Sequence, residues 1–189
     1  MPKTVLGRWG TLAMFGCLLT VLQAVGFAAP PEPGAVLADF ALQAPATEQE
    51  RTYLGVQGPQ VRFREIQAEW VLLEIVGVYC PRCYEQAPAL NTLFKRLERG
   101  QLGNRLKLVA VAAGATPMEV EMVSRQWRNS YPVIPDPTFA IHKLLGEPRT
   151  PFVLLVDNQG RVRLSHKGVI ENVDRFYQQL KKLTTSSRD

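Results

Sequence analysis

From Trp70 to Val78, and again from Leu106 to Ala113, the chain is apolar with no strict alternation of polar residues. A strand with one face in water alternates, so runs of this kind are central strands covered on both faces. The segments around them supply the covering layers. Pro81 to Arg99 puts Ala87, Leu90, Leu93, Phe94 and Leu97 on one side of a helix, with Lys95, Arg96, Glu98 and Arg99 mostly opposite. Pro88 within it is expected to kink or locally break that helix. Thr116-Pro117-Met118-Glu119 reads as an N-cap, a first-turn proline and a capping-box glutamate, opening a second helix that stops near Ser130.

The remaining elements follow in order. Tyr131 to Pro137 is a short extended piece, and Thr138 to Leu145 a short helix ended by Gly146. Phe152 to Val156 and Arg161 to Lys167 form a hairpin around Asp157-Asn158-Gln159-Gly160. Asn172 to Leu183 is a closing helix with Val173, Phe176, Leu180 and Leu183 inward. Upstream, Ala44 to Arg51 reads as loop, and Tyr53 to Val56 with Val61 to Phe63 as two strands about a turn at Gln57-Gly58-Pro59-Gln60. This order predicts an α/β sandwich of three layers, with helices flanking a mixed central sheet.

The first 29 residues read as a targeting segment. Lys3 and Arg8 precede a run, Trp9 to Ala29, that is apolar except for Thr11, Thr20 and Gln23. Gly26, Ala28 and Ala29 offer a cleavage site, and the run is also long enough to span a bilayer uncut. Residues 1–29 are therefore expected to be a signal peptide or an N-terminal membrane anchor, 30–34 a Pro-rich linker, 35–184 one domain and 185–189 a tail. Positive residues ahead of the run place the domain on the far side of the membrane. Cys17 lies inside the run and reads as a small apolar residue of a signal core.

Charge and cysteine count narrow the chemistry. The net charge of +5 falls to +3 once Lys3 and Arg8 are set aside, because no acid precedes Glu32. Basic residues mostly alternate with acidic ones, so no nucleic-acid partner is expected. The domain keeps two cysteines, Cys80 and Cys83, at the turn between the first apolar run and the helix. A structural disulfide closing so short a loop restricts the unfolded chain very little. An exported domain with one close pair points to redox chemistry. Cys80 lies at the helix N-terminus, where unpaired N–H groups and the helix dipole favour negative charge, and is the candidate attacking thiol. Cys83 would resolve the mixed disulfide so formed. Half of a zinc site is the other reading, but only the distant His142 and His166 could complete it.

Four further residues surround this pair. Pro81 suits the first helical position. Arg82 either adds positive charge beside Cys80 or is a solvated surface arginine. Glu74, six positions before Cys80, has only apolar neighbours; burial would raise its pKa and let it exchange a proton with Cys83, unless its head reaches water at the sheet rim. Tyr79 gives an aromatic wall just before the first cysteine.

The strand into Cys80-Pro81-Arg82-Cys83, Pro88 five positions after the second cysteine, Thr150-Pro151 before Phe152 to Val156, and Val156-Asp157-Asn158-Gln159-Gly160-Arg161-Val162 together resemble the exported TlpA/ResA-like thiol-disulfide oxidoreductases of the thioredoxin fold. The resemblance covers about Val36 to Leu183. It implies that Pro151 is the cis-proline opposite the cysteine pair, with Pro148 the competing position. It implies that Thr150 offers backbone to an extended substrate segment, and that Tyr79 stands where the family usually has tryptophan. It implies a cofactor-free, metal-free monomer in the periplasm or an equivalent extracytoplasmic space, either released there or anchored to the inner membrane by residues 9–29. Its partners would be protein thiols and disulfides, including those of apocytochromes c, with a membrane-bound electron donor driving it as a reductant. Two other functions of this fold stay open. A copper carrier would use Cys80, Cys83 and a histidine, with cysteines usually spaced one residue further apart. A peroxiredoxin needs threonine or serine three positions before the attacking cysteine, where this chain has Gly77.

Overall fold

The structure is a computed structural model that describes Met1 and residues 29–185. The expected signal or anchor run, Ala29 apart, and residues 186–189 of the tail lie outside the described residues. Among the described residues no helix is long and apolar enough to cross a membrane.

The two apolar runs become the neighbouring parallel strands β3 (Trp70–Val76) and β4 (Leu106–Ala113), all seven residues of β3 buried; strands β1 (Ala41–Gln43) and β2 (Gln60–Arg62) precede them as a separate antiparallel pair. β5 (Val133–Asp136) runs parallel beside β4, whereas β6 (Phe152–Asp157) and β7 (Val162–Lys167) are antiparallel on the other side, giving a mixed sheet of order β5-β4-β3-β6-β7. Side chains of β3 alternate across the sheet. Trp70, Leu72 and Val76 meet α2 (Pro81–Arg99), α3 (Pro117–Trp127) and α5 (Val173–Thr185). Val71, Leu73 and Ile75 meet β1, β2, α1 (Glu48–Leu54) and α4 (Ala140–Leu144) with the residue after it. Three layers result, and the alternation aims Glu74 at the α2 side.

Two expectations are corrected. Residues 48–54 form a helix where the sequence reading had loop and then strand at Tyr53–Val56. The reason is a capping box: Thr47 Oγ1 accepts from Glu50 N at 3.2 Å and Glu50 Oε2 accepts from Thr47 N at 3.0 Å. Gly55, at φ +68°, closes the helix in the left-handed conformation glycine allows. The second correction concerns Pro88, which does not break α2; the helix is continuous through it. Pro88 and Tyr84, four residues earlier, both lie on the exposed face, so the carbonyl deprived of its donor is left to water rather than buried.

The proline-rich stretch is fastened to the domain. Gly34 N donates to Val162 O and Val162 N to Ala35 O, each at 2.8 Å, and Leu37 N donates to Gly160 O at 2.8 Å. Residues 32–37 thereby run along the outer edge beside β7.

Candidate active site

β3 ends at Val76, and the turn through Gly77 delivers Cys80 to the N-cap of α2. Its Sγ accepts a hydrogen bond from Cys83 N at 3.2 Å, so one of the orphan donors of the helix points at the sulfur. Pro81 takes the first helical position, where its missing N–H costs nothing. Cys80 is part-exposed and Cys83 is buried at 1% exposure, both as free thiols. Burial, and then the neighbouring Cys80, push the Cys83 thiol far above its ordinary value. One sulfur can therefore meet a partner while the other stays protonated beneath it.

The Thr150–Pro151 peptide bond is cis and faces this pair. Cys80 Sγ lies 3.6 Å from Thr150 O and donates to it. A Cβ on Gly77 would make ordinary contact with both sides of the site, 3.4 Å from Cys80 Cβ and 3.5 Å from Thr150 Oγ1. Pro148, the competing position, has a trans bond and is buried, its carbonyl meeting His142 Nε2 at 3.0 Å.

Glu74 lies inside the fold at 2% exposure. Burial raises its pKa to about 7, against the opposing effect of hydrogen bonds from Gln86 and Tyr131. Two partners that the sequence reading missed define its chemistry. Gln86 Nε2 donates to Glu74 Oε1 at 2.6 Å, while Gln86 Oε1 accepts from Ile170 N at 3.0 Å. The backbone donor at Ile170 fixes the amide orientation, so Oε1 of Glu74 always faces an N–H. A proton on the carboxyl must then sit on Oε2, which faces the Tyr131 hydroxyl at 3.4 Å. Cys83 and Tyr131 belong to the same buried cluster under α2. Gln86 had a signal, being polar on the inward side of α2 between Cys83 and Leu90; Tyr131 had none, because only the fold brings it across from beyond α3.

Tyr79 is 78% exposed, beside the pair. Its hydroxyl donates to Glu119 Oε1 at 2.6 Å, and Glu119 Oε2 accepts from Thr116 N at 2.8 Å. The carboxylate that caps α3 thus also holds the aromatic wall, and these bonds lower its pKa to about 2. Arg82 is exposed and reaches toward β7, its Nη2 3.9 Å from where a Cβ on Gly168 would lie. The two histidines sit elsewhere: His166 Nε2 faces Val169 O at 3.3 Å, and its ring packs on Phe176. Among the described residues no group of three or more histidines, cysteines and acids could hold a metal ion.

Known proteins share this fold. The thiol-disulfide oxidoreductase ResA of Bacillus thuringiensis subsp. konkukian is 26% identical over 130 residues, 68% of this chain and 72% of the relative. In solved structures, a Chlorobium tepidum protein assigned as thiol:disulfide interchange protein DsbE superposes with a TM-score of 0.62 at 21% identity, covering 82% of this chain and 96% of its own. StoA of Bacillus subtilis superposes with a TM-score of 0.57 at 18% identity, covering 79% and 98%. The family model that matches, AhpC/TSA, spans residues 33–165, from the fastened proline-rich stretch through both cysteines and the cis-proline to β7. By that match over most of its length, the chain belongs to the AhpC/TSA family.

Proposed function

We propose that this protein is an extracytoplasmic thiol-disulfide oxidoreductase that reduces disulfides in protein clients through Cys80 and Cys83. The observation that carries this reading is the pairing of a part-exposed, helix-capping sulfur with a buried thiol three residues on, both facing a cis-proline loop. The Cys80 sulfur attacks one sulfur of a client disulfide; that S–S bond breaks and the other client sulfur leaves with its electron pair. Cys83 then gives up its proton and attacks Cys80, releasing the second client sulfur. The client gains two electrons and the enzyme is left with a Cys80–Cys83 disulfide. A membrane-bound donor restores the dithiol, and residues 9–29 export the domain or tether it. Clients include apocytochromes c, no cofactor takes part, and the protein acts as a monomer.

Glu74 supports the second step. With its pKa raised to about 7, the ionised fraction of Glu74 takes the proton that Cys83 gives up, and Gln86 and Tyr131 hold the neutral form that results, in the same buried cluster as Cys83. Thr150 offers its backbone to an extended client segment, in the manner of strand addition. Gly77 has no hydroxyl with which to orient a peroxide, which favours disulfide exchange over a peroxidase.

Replacing Cys83 with alanine tests the reading. The variant is expected to accumulate covalent adducts at Cys80 when it is expressed in its native envelope, all released by dithiothreitol. An accessible, reduced Cys80 that captures nothing would contradict it.

A further inference from the structure

Next to the cysteine pair runs a groove of about 520 Å³, with Pro30, Arg82, Arg149, Thr150, Lys167 and Gly168 among its lining. It starts at Thr150, whose carbonyl is 3.6 Å from Cys80 Sγ. Its floor is tied to the cis-proline loop, because Gly168 N donates to Pro151 O at 2.9 Å. Three cations and no carboxylate line it. Arg82 and Arg149 are exposed, and among the described residues neither forms a salt bridge.

One of the three cations is already paired by a carboxylate from outside the lining. Lys167 Nζ lies 2.6 Å from Glu32 Oε1, in the stretch Pro30-Pro31-Glu32-Pro33 that the hydrogen bonds from Gly34 and Val162 hold against β7. The chain's own acidic, proline-flanked segment thus meets the groove at Lys167. Arg82, two residues after Cys80, and Arg149, next to Thr150, carry no such carboxylate among the described residues.

We infer that this groove selects client disulfides whose flanking residues are acidic and extended, the client carboxylates meeting Arg82 and Arg149. This rests on the oxidoreductase reading and adds a substrate class to it. Exposed ion pairs contribute little each, but two cations beside the point of attack act on encounter and on register together. Glu32 competes for the same field through Lys167.

The test uses the full chain and three disulfide-bridged peptides that differ only in two residues beside one cysteine: glutamate, glutamine or lysine. At low salt the glutamate peptide is expected to exchange about tenfold faster than the lysine peptide, the advantage shrinking in 1 M salt. The double substitution Arg82→Gln, Arg149→Gln should cut the ratio to about twofold, and Glu32→Ala, which frees Lys167, should widen it. Equal rates for all three peptides, with exchange proceeding, would overturn the acidic preference and leave the oxidoreductase reading intact. A ratio untouched by the double substitution would overturn the groove as its source. No exchange with any peptide would overturn both readings.

Discussion

Cys80→Ser is expected to reduce disulfide exchange to the uncatalysed rate while leaving the fold intact. The two effects separate because the residue has two jobs. As the N-cap of α2, Cys80 accepts from Cys83 N, and a serine oxygen does this at least as well. As a nucleophile it must form and break a bond to sulfur, which the serine hydroxyl cannot do. Thermal unfolding should therefore change little, and turnover of a peptide disulfide should vanish. Cys83→Ala behaves differently: the thiol is 1% exposed, so its loss opens a small cavity and costs about 1 kcal/mol. That variant should still attack but fail to resolve. Equal activity of Cys80→Ser and the native protein would remove Cys80 from the chemistry.

Glu74→Gln is expected to raise stability at pH 8 and leave it nearly unchanged at pH 5. The unfolded carboxyl ionises at its ordinary value of 4.5, whereas the buried one holds its proton to about 7. Between those values the native state binds more protons than the unfolded chain, so native stability falls as pH rises and levels off above 7. That interval corresponds to about 3 kcal/mol. Glutamine imitates the protonated acid, with its oxygen toward Gln86 and its amide toward Tyr131, and has nothing to titrate. Urea unfolding from pH 5 to 8 should slope downward for the native protein and lie flat for the variant. The same substitution should slow resolution of the mixed disulfide about a hundredfold, since it removes the buried acceptor for the Cys83 proton. A flat native profile would mean that Glu74 is not held neutral.

What could be read from the sequence follows from how local each cause is. β3 and β4 were legible because burial on both faces removes alternation, which any short window reveals. The limits of α2 were legible from Pro81 and the apolar spacing, and α3 from its capping box. The capping box of α1, Thr47 with Glu50, was equally local, yet the polar stretch around it masked a helix with a single fully buried residue, Leu54. The cysteine pair and Glu74 stand on consecutive elements, so chain order alone brings them near each other. Tyr131, Lys167 and Glu32 reach the site only through the register of the sheet and the path of the proline-rich edge, neither of which a window of sequence contains.

The most direct measurement is an equilibrium titration in reduced and oxidised glutathione, with trapping of free thiols by alkylation and mass analysis of the peptides containing Cys80 and Cys83. One two-electron transition is expected, the two residues losing and regaining their thiols together as an internal disulfide. Thiols that stay reduced across the whole range, or a stable glutathione adduct on one cysteine while the other remains free, would contradict the exchange mechanism.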